Sequence, residues 1–195
     1  REPADRAARS IALTQQAVAH LGNGRPLCVL DLATGTGSNI RFLAPFLPSP
    51  QSWRAIDRDR ELLAQVPQRV GAWAIDRGVI VTGGGGMFTL RGPAMECRVD
   101  ARSADLSRLG DEQVFDGIGL VTASALLDLV SERWLRALAE RCRRAGAVVL
   151  FALTYDGRLT LHPEDSDDEA IRTLVNRHQQ TTKGFGRALG PDATA

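Results

Sequence analysis

The sequence predicts an α/β fold, a mostly parallel sheet with helices on both faces, and three observations lead there. Short apolar runs without strict alternation, residues 28–32 (CVLDL) first among them, suit strands buried on both sides. Most core runs are followed by a stretch whose apolar residues recur at helical spacing, so strands joined by helical crossovers lie parallel. Two runs end in an acid, Asp31 and Asp57, at the carboxyl end of a strand, where such sheets bind their ligands.

Residues 4–21 read as one helix with Ile11, Val18 and Leu21 on a common face, stopped by Gly22-Asn23-Gly24. The first strand follows, then a loop in which Gly35 and Gly37 allow positive φ, then a helix marked by Ile40, Leu43 and Leu47. Residues 53–56 form a second strand closed by Asp57. Asp59 caps a helix carrying Leu62, Leu63 and Val66, which Pro67 interrupts; a further helical stretch groups Val70, Trp73 and Ala74 and stops at Gly78.

VIVTGGGGMFTLRG, residues 79–92, reads as a β-hairpin with its tip at Gly83–Gly86, an insertion over about 78–95 ahead of a third core strand in MECRVDA. A surface hairpin is the plain expectation; a dimerisation or substrate-covering arm is the functional one. FDGIGLVTASALLDLVS supplies the fourth strand and its loop. Ser131 caps a helix with Leu135, Leu138, Ala139 and Cys142 on one face, Gly146 ends it, and AVVLFALT is the fifth strand. The acidic run EDSDDE at 164–169 suits the start of a last helix, with Ile171, Leu174, Val175 and His178 on one face.

At 195 residues and 44% hydrophobic, the chain is expected to form a single domain: an N-terminal helical cap over 1–24, a core over 25–155 and a helical segment over 156–195. A net charge of +1 gives no general reason to expect a nucleic acid or a membrane as partner. No run approaches the roughly 18 apolar residues of a membrane span, and REPADRAARS is not a signal peptide. Cys28, Cys97 and Cys142, odd in number and widely spaced, read as free thiols of a reducing, cytoplasmic compartment, and no pair stands at metal-ligand spacing.

The loop after the first strand carries the chemistry. A nicotinamide site wants G-x-G-x-x-G, but counting from Gly35 the third glycine position is Ile40. A P-loop fails too, because no Gly-Lys-Ser/Thr follows and Lys183 is the only lysine. What remains is D-x-A-x-G-x-G, from Asp31 to Gly37, with Ala33 where a glycine is usual and where the alanine is expected to hold φ below zero. This resembles the first motif, (D/E)-x-G-x-G-x-G, of the class I S-adenosylmethionine-dependent methyltransferases, whose sheet is Rossmann-like.

The resemblance runs over residues 27–154 and implies a cofactor site. Asp31, Ala33, Thr34, Gly35, Gly37 and Asn39 would take the methionine portion, and Asp57, with Arg58 beside it, the ribose. Asp105 and Leu106 would stand by the adenine, and Thr122, Ala123 and Ser124 near the amino-acid end. The implied cofactor is S-adenosylmethionine, leaving as S-adenosylhomocysteine. Two rivals stand beside this reading: another nucleotide-using enzyme of the same fold, and a binding or regulatory protein that keeps the fold without turnover.

Absent motifs narrow the acceptor. No Asn/Asp-Pro-Pro-aromatic follows the fourth strand, and there is no Pro-Cys nucleophile or three-cysteine iron–sulfur signature, so a small-molecule acceptor is expected. Its pocket should be walled by the loop after the fourth strand, the end of the fifth and whatever folds over them. Tyr155 follows the fifth strand directly, and His178, an imidazole able to exchange a proton near neutral pH, lies on the last helix; both are candidate catalytic residues, with the N-terminal helix at Arg6 and Arg9 as the next wall. The family's sheet gains two strands after the fifth. Only KGFGRALGPDATA follows the last helix and Arg1 is not an initiator, so C-terminal strands are expected to be missing from a longer polypeptide. The sheet should then end in an exposed edge, open to pairing in a homodimer.

Overall fold

The computed structural model describes residues 2–22, 26–107 and 112–194. Its order is α1 (Glu2–Ala8), α2 (Ile11–Ala19), β1 (Leu27–Leu32), α3 (Ser38–Leu43), β2 (Gln51–Asp57), α4 (Arg60–Ile75), β3 (Ile80–Gly84), β4 (Met87–Gly92) and β5 (Met95–Ser103). Then come β6 (Leu120–Ser124), α5 (Glu132–Ala145), β7 (Val148–Ala152), α6 (Asp168–Gln179), β8 (Thr182–Lys183) and β9 (Gly186–Arg187). Single 3-10 turns lie at Glu112–Phe115, Leu127–Leu129 and Gly190–Thr194.

The main sheet has seven strands in the order β3-β4-β5-β2-β1-β6-β7. β5, β2, β1, β6 and β7 run parallel, while β3 and β4 are antiparallel. Taking the parallel strands by themselves, their order is third, second, first, fourth, fifth, a doubly wound sheet that reverses between β1 and β6. One face packs Val29, Trp53, Leu90 and Val99 under α3 and α4; the other packs Leu30, Leu32, Val121 and Ala123 under α5.

The structure departs from the sequence expectations at several elements. The N-terminal helix is two helices, because Ser10 caps α2 by accepting from the Leu13 N–H at 3.2 Å and so competes with helix continuation. Val18 and Leu21 join the core, but Ile11 faces solvent. The expected stop lies partly at Asn23 and Gly24, outside the described residues. Pro67 does not break its helix: α4 runs through it, held by Leu63, Val66, Val70 and Trp73 buried on one side. The helix after the first loop is only six residues long, and Leu47 reaches the core from the turn beyond it.

The hairpin is not a free surface arm. β4 pairs with β5, so β3 and β4 extend the sheet, with Phe88 and Leu90 buried opposite Val99 and Cys97. At the other edge, among the described residues no strand pairs with the outer side of β7, and Val149 is 46% exposed. The apolar face expected on the last helix is not buried: α6 has no buried residue, and Leu174 is 63% exposed. Among the described residues no helix is long and apolar enough to cross a membrane.

Candidate functional site

The reversal of strand order leaves a crevice at the carboxyl ends of β1 and β6, and a buried polar network lies under it. Asp31 is fully buried near the end of β1; its Oδ2 accepts from Thr34 Oγ1 at 2.6 Å and its Oδ1 from Asn39 Nδ2 at 2.9 Å. Asn39 Nδ2 also donates to Thr122 Oγ1 at 2.7 Å, and that hydroxyl donates to the Leu150 carbonyl at 2.8 Å. Arg9, from the break between α1 and α2, donates to Asn39 Oδ1, to Ser38 Oγ at 3.2 Å and to Ser124 Oγ at 3.0 Å. Burial pushes the Asp31 carboxyl up to about 6, although the bonds from Asn39 and Thr34 and the charge of Arg9 pull it down.

Ala33 corrects the sequence reading of the loop, since its φ is +54° rather than negative. The backbone must turn there for the Thr34 N–H to reach the Ile56 carbonyl at 3.0 Å and the Gly35 N–H to reach Asp57 Oδ2 at 2.8 Å. An alanine in that conformation costs about 1–2 kcal/mol relative to right-handed geometry. Ala125 and Leu153, at the exits of β6 and β7, also have positive φ, so non-glycine strain gathers at the carboxyl ends of three neighbouring strands. Strain of this kind concentrates at functional sites.

The two loop glycines have different jobs. A Cβ built on Gly37 would stand 2.7 Å from Val70 Cγ2, so this glycine lets α3 close on α4. A Cβ on Gly35 meets nothing within 4 Å, which leaves open space over the loop. Asp57 faces that loop from the end of β2, half of its acceptor capacity taken by the N–H groups of Gly35 and, at 3.0 Å, Asp59. Asp59 then caps α4 as expected.

The remaining sequence candidates divide. Asp105 is exposed and accepts from the Ser107 N–H and hydroxyl at 2.9 and 2.8 Å, while Leu106 is buried and its carbonyl accepts from Trp134 Nε1 at 2.6 Å. Thr122 and Ser124 belong to the network, whereas the Ala123 side chain packs into the apolar cluster on the opposite face. Arg58 lies against the C-terminal segment: a Cβ on Gly184 would be 2.9 Å from its Nη1. The Tyr155 hydroxyl donates to Asn176 Oδ1 at 2.7 Å, tying the chain after β7 to α6, and His178 is exposed on α6 rather than packed on an apolar stripe.

Two residues hold positions that the sequence reading did not give them. Arg9 was a fallback wall and instead centres the network. Asp128, an acid inside the apolar run ALLDLV, is buried with Oδ1 unpartnered. Burial raises its pKa. Beside the network, a cavity of about 190 Å³ lies between α2 and the β6–β7 edge, walled by Leu13, Thr14, Leu43, Thr122, Ala152 and Leu153. Neither Tyr155 nor His178 lines it.

By motif and by strand order the chain resembles the class I S-adenosylmethionine-dependent methyltransferases. No protein-family model and no curated protein matches it. Solved structures similar to it include a putative methyltransferase from Bacillus halodurans, 16% identical over 95% of this chain and 65% of that one, with a TM-score of 0.48. Another is the CurJ carbon methyltransferase, 11% identical over 78% of this chain and 38% of that one, TM-score 0.47. A third is the N-terminal domain of EvdMO1 with S-adenosylhomocysteine bound, 19% identical over 82% of this chain and 54% of that one, TM-score 0.46. In all three cases the chain spans less than two thirds of the other's length. At these values nothing about reaction, acceptor or partner passes from them to this chain.

The loop itself fits the methyltransferase cofactor. Open space stands over Gly35, and the Asp57 carboxylate beside it keeps acceptor capacity beyond the Gly35 and Asp59 N–H groups. A nicotinamide-type helix approach is closed by the packing of Ile40, which is fully buried where that motif needs a third glycine.

Proposed function

We propose that the chain is an S-adenosylmethionine-dependent methyltransferase acting on a small-molecule acceptor. The open cradle over Gly35, facing Asp57, carries this reading. Asp57 would hold the ribose hydroxyls, and Asp105 with Leu106 would border the adenine. When bound, the cofactor would supply an activated methyl group on a sulfonium; the acceptor's lone pair would bond to that carbon as the carbon–sulfur pair stays on sulfur, and a protonated acceptor would give its proton to water.

The protein's part is then alignment. Holding reactants in line supplies roughly 7–11 kcal/mol without a dedicated covalent catalyst. The network from Arg9 through Asn39 and Asp31 to Thr122 keeps the loop, α3 and β6 in one arrangement, so the crevice is preorganised. The cavity bordered by Ala152 and Leu153 is the acceptor's place beside it. The three thiols are unpaired, which supports a cytoplasmic setting.

Titration calorimetry with S-adenosylhomocysteine tests the reading. Asp57→Ala should weaken binding at least tenfold, about 1.4 kcal/mol. If the product binds equally well to the variant, Asp57 does not hold the ribose; if the parent chain shows no binding, the methyltransferase reading falls.

A further inference from the structure

The last helix, α6, is held to the rest of the chain along one side. Asn176 Oδ1 accepts from the Tyr155 hydroxyl at 2.7 Å and its Nδ2 donates to the Gly157 carbonyl at 3.2 Å. Gln180, at the end of the helix, donates to Asp192 at 2.7 Å. The other side carries Asp167 at the N-cap, Ile171, Leu174 and His178, which helical spacing sets in one stripe, with Arg177 along its border. All five are exposed, Leu174 most of all.

Charge runs along this stripe in one sense. Asp167 opens it, its side chain making no capping bond, and Arg177 and His178 close it. Among the described residues, none of these three side chains takes part in a hydrogen bond or ion pair within the chain. The ion pair between Arg172 and Glu169 lies on another side of the helix. The stripe thus holds two apolar side chains between a free acid and two free bases.

That pattern is complementary to itself. Asp167 stands four residues before Ile171, and His178 four residues after Leu174. When two such helices lie antiparallel with Ile171 on the partner's Leu174, Asp167 meets the partner's His178, with the partner's Arg177 beside it. A two-fold axis makes each contact twice, and the two helix dipoles oppose. An unrelated apolar helix could cover Ile171 and Leu174, but a second copy also brings the bases to the acid at both ends.

We propose that α6 is an interface between two copies of this chain, paired antiparallel through Ile171 and Leu174 and held in register by Asp167 against the partner's Arg177 and His178. From Asp167 to His178 the helix is roughly 16 Å long, so the contact falls below the about 1,200 Å² of a standard interface. The dimer is therefore weak, and forms as protein concentration rises. It does not depend on the methyltransferase reading.

Sedimentation velocity across a wide range of concentration tests the pairing. The parent chain should pass from one chain's mass toward twice that mass. Leu174→Asn changes an exposed side chain that symmetry counts twice, and should weaken the dimer about tenfold. Asp167→Arg alone, and Arg177→Asp alone, should each weaken it through like charges facing across the axis. Mixed together, those two variants place opposite charges at both ends, and should associate within about threefold of the parent. A chain that stays monomeric at every concentration would overturn the proposal. So would a dimer unmoved by Leu174→Asn, which puts the contact elsewhere, such as the open edge of β7. A mixture of the two charge variants that associates no better than either alone would overturn it as well, because the stripe would then face something other than its own copy.

Discussion

Arg9 Nη2 donates to Ser124 Oγ at 3.0 Å, which ties the break between the first two helices to the last residue of β6. The same guanidinium reaches Ser38 and Asn39 at the start of α3. One side chain thus spans the crevice that the reversal of strand order creates, and the crevice geometry depends on a residue remote in sequence from every motif.

Arg9→Met therefore leaves three polar groups without their donor and should cost about 3 kcal/mol of stability, the lower range for removing one partner from a buried charged cluster. Urea denaturation measures it. A midpoint within error of the parent's would show that the network holds without Arg9.

Asp31 gives the stability a pH signature. Its folded pKa is raised from 3.8 to about 6, so the proton is held more tightly in the folded state. Below 3.8 the group is protonated in both states and contributes nothing; as pH rises to about 6 it ionises first in the unfolded chain, and the folded state loses ground. A shift of about two units corresponds to a loss of about 3 kcal/mol, complete above pH 6. Asp31→Asn has no such titration. The stability difference, parent minus variant, should fall between pH 4 and pH 7 by about that amount, and a difference that stays flat across the range would mean that Asp31 is not strained by burial.

The parallel core was legible because its signals are local. Residues 28–32 are apolar without alternation, Ser131 and Gly146 sit at cap positions, and both caps form. Gly35 and Gly37 were legible as positive-φ positions, but their different jobs were not, since only the approach of Val70 distinguishes them. The hairpin was visible, yet its attachment to β5 is a nonlocal pairing that no periodicity encodes. The face of α6 misled because Ile171 and Leu174 recur at helical spacing without any layer to cover them. Arg9 was legible only as a fallback wall of the pocket: in sequence it is one of many surface-like arginines, and only the fold carries it to Ser124.

Ala33 invites a direct test of loop strain. Glycine is the residue the left-handed backbone favours, and the alanine Cβ adds about 1–2 kcal/mol there. Glycine also raises the entropy of the unfolded chain, which offsets about 0.4–1 kcal/mol of that. Ala33→Gly should accordingly stabilise by about 0.5–1 kcal/mol, seen as a higher melting temperature. A loss of stability would show that the methyl group makes packing contacts worth more than the strain.

The C-terminal segment provides the last prediction. Phe185 packs edge-on to Trp134, with ring centroids 5.3 Å apart, and forms a β-bridge with Val130, while the Leu189 N–H reaches the Val130 carbonyl at 2.8 Å. Trp134 in turn donates to the carbonyl of Leu106, one of the residues expected beside the adenine. The Trp134 indole therefore links the ribbon of β8 and β9 to Leu106. Phe185 is only half-buried, so Phe185→Ala should cost less than a full core truncation, about 2 kcal/mol including the lost ring pair. Loosening of residues 181–190 should appear as faster proteolysis there and as altered tryptophan emission. Because the segment touches Arg58 and the loop after β6 rather than the Gly35 cradle, affinity for S-adenosylhomocysteine should stay within about twofold, a change under about 0.4 kcal/mol. A tenfold change in either direction would instead make Phe185 part of the wall against which the adenosine binds.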